Sequence, residues 1–155
     1  MIVQAVRYHD FCAGHRVVGH ENKCANLHGH NYRVYFTVEA NRRLDSIGRV
    51  LDFSVIKSLL CEWLETNWDH RFLVYSNDPL KSYLRELDPT VTEVPFNPTA
   101  ENMGQYLLLV VGPEVFFEKG VRLTEVTVQE TRKCSATVKL SRLKPLGYAE
   151  EANEQ

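Results

Sequence analysis

Residues 28–40 most constrain what this chain can fold into. Tyr32, Val34, Phe36, Val38 and Ala40 alternate with Asn31, Arg33, Tyr35, Thr37 and Glu39. A strict two-residue period over so long a run is the pattern of a half-buried β-strand with one apolar face. A strand of that length needs partners for its backbone and cover for its apolar face. It therefore requires a sheet with something packed on it. Residues 1–13, rich in Ile, Val, Tyr and Phe, supply one expected partner, and 121–130 and 135–142 supply two more.

Between these strands the apolar period changes. Ile56, Leu59, Leu60, Trp63 and Leu64 recur at helical spacing after Asp52 and Ser54, either of which can cap a helix. A short helix is expected from Asp78-Pro79, with Leu80, Tyr83, Leu84 and Leu87 as its buried side. Another starts at Asn97-Pro98-Thr99, with Met103, Tyr106, Leu107 and Val110 inward, and Gly112-Pro113 stops it. The order strand, strand, helices, strand, strand implies an α+β layer: a four-stranded antiparallel sheet with helices packed on one face. At 155 residues with 44% apolar side chains, one domain with its own core is expected. The domain should occupy residues 1–145, followed by a loose acidic tail over 146–155.

A net charge of −2 with no basic run gives no support to nucleic-acid binding. The N-terminus, broken by Arg7, His9 and Asp10, offers neither a signal segment nor a membrane span. Four cysteines without a CxxC pair suggest reduced thiols, so a cytoplasmic location is the expectation.

The chemistry concentrates on the strand already described. His28 and His30 flank Gly29, and residues at i and i+2 of a strand project from one face, so both imidazoles can reach one metal ion. Gly29 leaves the opposite face bare, where another backbone can approach. His15 shares parity with Phe11 and Ala13 and can join the same inward side. Three neutral imidazoles with an open fourth position form a catalytic zinc arrangement. Cys24 can be read as a fourth ligand that closes the site, as a thiolate base beside the metal, or as a small buried residue. Asp69-His70 is either an acid/base unit, with the carboxylate orienting the imidazole, or a surface loop. Glu130 ends a strand on its apolar parity; its carboxylate needs a partner, either a planar ligand with adjacent N–H donors or an arginine such as Arg132.

Taken together, the segments FCAGH, CANLHGHNY, RVLDF, WDHRFL, FNPTAEN and VQET resemble, in order and spacing, the family of 6-pyruvoyl- and 6-carboxy-tetrahydropterin synthases, from about Phe11 to Leu140. The resemblance implies the tunnelling fold, in which subunits join their sheets into an oligomeric barrel, most often a hexamer of two stacked trimers. It implies zinc on His15, His28 and His30, with Cys24 acting alongside Asp69 and His70. It implies a pterin ring anchored by Glu130, with Thr99, Ala100 and Glu101 beside that ring. The three-residue gap between Cys24 and His28 is similar to the bacterial carboxy-forming branch, which feeds queuosine biosynthesis. The implied activity is a zinc-dependent lyase converting 7,8-dihydroneopterin triphosphate to 6-carboxy-5,6,7,8-tetrahydropterin, acetaldehyde and triphosphate. Two alternatives stand beside it. One is 6-pyruvoyl-tetrahydropterin synthesis from the same substrate. The other is a non-catalytic domain whose structural zinc site is closed by the cysteine and the three histidines together. Cys12 stands where family members often carry serine, which puts a second thiol near the histidines.

Overall fold

The computed structural model describes residues 1–141; the expected acidic tail lies outside the described residues. Strands β1 (Gln4–His15) and β2 (His28–Ala40) pair antiparallel along their whole lengths, from Gln4 opposite Glu39 to His15 opposite His28. Two further antiparallel pairings extend the sheet: β5 (Val121–Gln129) on β2, and β6 (Ser135–Lys139) on β5.

The sheet is larger than four strands and is mixed. A five-residue strand β3 (Arg71–Tyr75) lies parallel to β1, and a three-residue strand β4 (Thr92–Val94) lies parallel to β3. The complete order is β4-β3-β1-β2-β5-β6. The expected four-stranded antiparallel sheet is thus corrected to six strands. Leu73 and Val74 explain why β3 escapes the sequence pattern: both are fully buried, so the segment shows no alternation.

Tyr32, Val34, Phe36 and Val38 project from the inward face of β2 and are almost completely buried, joined by Phe11 and Ala13 from β1 and Val126 and Val128 from β5. Each large apolar side chain among them contributes roughly 1.5–3 kcal/mol by leaving water. Opposite Thr37 and Val38 the register slips, which leaves Thr124 as an extra residue on β5. This bulge turns both Leu123 and Thr124 inward, and the Thr124 hydroxyl donates to the Thr37 carbonyl at 3.3 Å.

Two helical segments cover the inward face. The first runs from α1 (Phe53–Ile56) through one π turn over Lys57–Cys61 into α2 (Glu62–Asn67). Asp52 caps it, accepting from the Ser54 N–H, and Ile56, Leu60 and Leu64 face the core as their spacing predicts. The helix expected at Asp78-Pro79 begins later, as α3 (Lys81–Leu87). Tyr83 and Leu87 are 73% and 84% exposed, so its expected apolar side faces solvent for most of its length. Leu80 is the residue before the helix; the buried Asp78 carboxylate accepts from the Leu80 N–H at 2.8 Å and from the Arg16 guanidinium at 2.7 Å.

The second covering segment is α4 (Ala100–Tyr106), a π turn over Leu107–Val111, and α5 (Gly112–Val115). Thr99 caps it, accepting from the Asn102 N–H. Met103 and Leu107 are buried as expected, but the wider turn moves the next inward position from Val110, which is 46% exposed, to Val111. Gly112-Pro113 does not stop the helix. Pro113 falls in the first turn of α5, where a missing N–H is tolerated.

Candidate active site

The β1–β2 register places His15 directly across from His28, and His30 follows two residues on along the same face. Gly29 makes this close pairing possible: a Cβ there would stand 3.0 Å from the Ala13 carbonyl oxygen of the neighbouring strand. The three histidines bring their ligand atoms within 4.8 Å of one another, a group that could hold a metal ion.

Main-chain carbonyls orient two of the rings. His15 Nδ1 lies 2.6 Å from the Pro98 carbonyl oxygen, and His28 Nδ1 lies 2.7 Å from that of Asn26. A carbonyl only accepts, so both Nδ1 atoms carry a proton and the Nε2 atoms are left as the ligand positions. Those two Nε2 atoms are 3.1 Å apart. Between neutral imidazoles, facing Nε2 lone pairs at that distance repel unless a cation lies between them. The Nε2 of His30 is buried without a hydrogen-bond partner, and Glu130 Oε1 approaches the Nε2 of both His15 and His30 to 3.3 Å. Burial pulls the His15 imidazole down to about 4, against the opposing Pro98 bond, and it lowers His30 as well despite Glu130. Neutral imidazoles with converging lone pairs are what a divalent ion requires, so the donor set fits a metal.

Beneath the cluster, the Tyr32 ring stacks on Phe11 and its hydroxyl lies 3.3 Å from His15 Nδ1. Burial, with Glu130 and Cys24 adding to it, pushes the Tyr32 phenol up, so it stays protonated. Cys24 sits half-buried on a single 3-10 turn, Lys23–Ala25, and lies outside the three-histidine group. The loop that carries it is tied down. The Val17 N–H donates to the Cys24 carbonyl at 2.8 Å, and the Asn97 side chain both accepts from the Val18 N–H and donates to the Val18 carbonyl, each at 2.9 Å.

Asp69 and His70 form the expected pair, with His70 Nδ1 2.7 Å from Asp69 Oδ2. Burial pushes the Asp69 carboxyl up, but the Cys12 N–H and the His70 imidazole outweigh it and hold the carboxyl low. The left-handed backbone of His70 (φ 55°) brings its own N–H to the Cys12 carbonyl at 2.7 Å. Within one chain this pair does not join the histidine cluster. It lines a cleft with Asp10, Cys12, Asn31 and Arg33, whose strand parity places them on the opposite face of the sheet from His28 and His30. Cys12 therefore belongs to the Asp69–His70 side, its thiol donating to Asn31 Oδ1 at 3.0 Å. Among the described residues Glu130 makes no ion pair with Arg132; its carboxylate lies beside the His15 and His30 imidazoles. Thr99 is engaged as the cap of α4, Ala100 is buried and Glu101 is exposed in the first turn.

Residues 4–141 match the family described as 6-pyruvoyl tetrahydropterin synthase. The chain belongs to that family. It is similar to the 6-carboxy-5,6,7,8-tetrahydropterin synthase of Rickettsia typhi, 34% identical over 141 residues that cover 88% of this chain and all of the relative. Among solved structures, an uncharacterized protein from Wolinella succinogenes superposes with a TM-score of 0.79 at 26% identity, covering 91% of this chain and 99% of that one. The 6-pyruvoyl tetrahydropterin synthase of Caenorhabditis elegans does so with a TM-score of 0.63 at 27% identity, covering 91% and 97%. The chain is thus a tetrahydropterin synthase family enzyme with an α+β fold. Among the described residues no helix is long and apolar enough to cross a membrane.

Sequence reasoning overlooks four parts of the site. By pattern, Tyr32 is only a core residue. The Asn26 and Pro98 carbonyls are main-chain groups with no side-chain signature. Asn97 is marked only as part of a helix start.

Proposed function

We propose that this protein is a zinc-dependent lyase that converts 7,8-dihydroneopterin triphosphate and one water to 6-carboxy-5,6,7,8-tetrahydropterin, with release of acetaldehyde and triphosphate, as a step toward queuosine in the cytoplasm. The observation that carries the reading is the convergence of three imidazoles on one point with the Glu130 carboxylate beside them. The name borne by the Rickettsia relative supports the carboxy product.

His15, His28 and His30 are the residues that would hold zinc, which when bound supplies a Lewis acid for the substrate's side-chain oxygens and leaves a coordination position for them. Glu130 accepts from a ring N–H and the adjacent amino group of the pterin, a paired, charge-assisted contact that a carboxylate makes well. Thr99, Ala100 and Glu101 flank the ring. Cys24, as thiolate, removes a proton beside the ring, and His70, oriented by Asp69 through Nδ1, leaves its Nε2 to exchange the complementary proton. Because Asp69 and His70 stand outside the three-histidine group of their own chain, we assign them to the site of a neighbouring copy in a barrel-shaped homo-oligomer, by family resemblance a hexamer. The exclusion of Cys24 from the three-histidine group favours this catalytic reading over a site closed by the thiolate.

The deciding experiment is incubation of the zinc-loaded protein with 7,8-dihydroneopterin triphosphate, followed by mass analysis. Carboxy-tetrahydropterin and acetaldehyde are expected. A pyruvoyl product would move the protein to the other branch of the family, and unchanged substrate would overturn the reading.

A further inference from the structure

Two functional groups at this site come from different segments of the chain: the imidazole of His15 at the end of β1, and the thiol of Cys24 on the loop after it. Both are referred to the same two residues. The Pro98 carbonyl fixes His15 through Nδ1 at 2.6 Å. The neighbouring Asn97 side chain holds Val18 from both sides, accepting from its N–H and donating to its carbonyl, each at 2.9 Å. Val17, next to Val18, in turn donates its N–H to the Cys24 carbonyl at 2.8 Å.

Asn97 itself is held rigidly. Asn102 Nδ2 donates to its carbonyl at 2.9 Å from the first turn of α4, and the Thr99 N–H donates to the same carbonyl at 2.7 Å. The far end of the loop makes the second anchor, where Asn26 gives its carbonyl to His28 Nδ1 at 2.7 Å. A loop from 16 to 27 held only at its ends would let the thiol wander relative to the histidines. The amide pair at Val18, one residue from the bond that closes on Cys24, removes that freedom.

We propose that Asn97 is a positioning residue that sets where the Cys24 thiol stands relative to the histidine cluster. It acts through the Val18–Val17–Cys24 hydrogen-bond path and touches neither metal nor substrate. A primary amide suits this role because it offers one donor and one acceptor in one plane, which matches the N–H and C=O of a single residue. Neither a carboxylate nor an alkyl side chain can make both bonds. The proposal rests on the reading of Cys24 as the base.

The experiment is a double-mutant cycle of Asn97→Ala and Cys24→Ala in the zinc-loaded full chain, assayed on dihydroneopterin triphosphate, with zinc content and amide hydrogen exchange measured alongside. Asn97→Ala is expected to retain zinc, to lower kcat by roughly ten- to a hundredfold with KM little changed, and to speed exchange over residues 17–25 while β2 stays protected. In the Cys24→Ala background the same substitution is expected to change kcat by less than about twofold, because it no longer has a thiol to place. Equal losses in the two backgrounds, or unchanged exchange over residues 17–25, would overturn the proposal. Full activity of Cys24→Ala alone would instead overturn the reading of Cys24, which keeps the two failures apart. Asn97→Asp, which retains the acceptor for the Val18 N–H, serves where the alanine variant fails to fold. It should show the same selective exchange and the same dependence on Cys24, and the absence of either would count against the proposal.

Discussion

Glu130 brings a negative charge to the end of an apolar strand face, where an unpartnered carboxylate is costly. Its carboxylate stands 3.3 Å from two imidazole nitrogens that are neutral at pH 7, so most of its acceptor capacity remains for a ligand. Glu130→Gln keeps the size but sets a donor against the ring N–H. Affinity for a pterin analogue should fall by on the order of 2–3 kcal/mol, the cost of losing a charged hydrogen bond and stranding its partner. A titration of wild type and variant reads this directly, and equal affinities would remove Glu130 from pterin recognition. Metal content should not change in that variant. It should collapse in His28→Ala and His30→Ala, since two imidazoles hold a divalent ion poorly. Elemental analysis after dialysis checks the assignment, and full occupancy in both variants would contradict it.

The helices show what residue patterns alone leave out. Strand β2 is legible because its apolar alternation runs unbroken from Asn31 to Ala40, and the HGH motif can be placed on its inward face for the same reason. Strand β3 is not, because burial on both faces erases the alternation. Apolar spacing gives the inward positions of the second helical segment correctly as far as Leu107 and then slips by one, because a π turn adds a residue that no spacing announces. The clamps on His15, His28 and Val18 escape for a further reason: they use main-chain carbonyls, or an asparagine whose type admits many roles. The packing of α4 on the sheet is tight enough to test. A Cβ on Gly104 would stand 2.8 Å from Val138 Cγ2 on β6. Gly104→Ala gains about 1 kcal/mol in helix propensity but incurs about 1–3 kcal/mol from overpacking. We expect a lower urea midpoint with an unchanged slope, restored when Val138→Ala is added. A midpoint at or above wild type in the single variant would show that β6 yields freely.

At the scale of the whole molecule, the sheet ends in two strands, β4 and β6, each paired on one side only among the described residues. Its outward face leaves Val6 and Tyr8 about half exposed, at 49% and 50%. Open edges and an uncovered apolar face are removed by association, so a symmetric oligomer is expected by light scattering at micromolar concentration, and a monomer would contradict it. The placement of Asp69–His70 outside the three-histidine group has a genetic counterpart. If the acid/base pair of one copy serves the thiol of the next, two defective alleles can rescue each other. A chain lacking Cys24 and a chain lacking His70 are each expected to be severely slowed alone. Co-expressed and mixed at random in one oligomer, they should rebuild about one quarter of the sites, since an intact site needs a sound thiol from one copy and a sound imidazole from its neighbour.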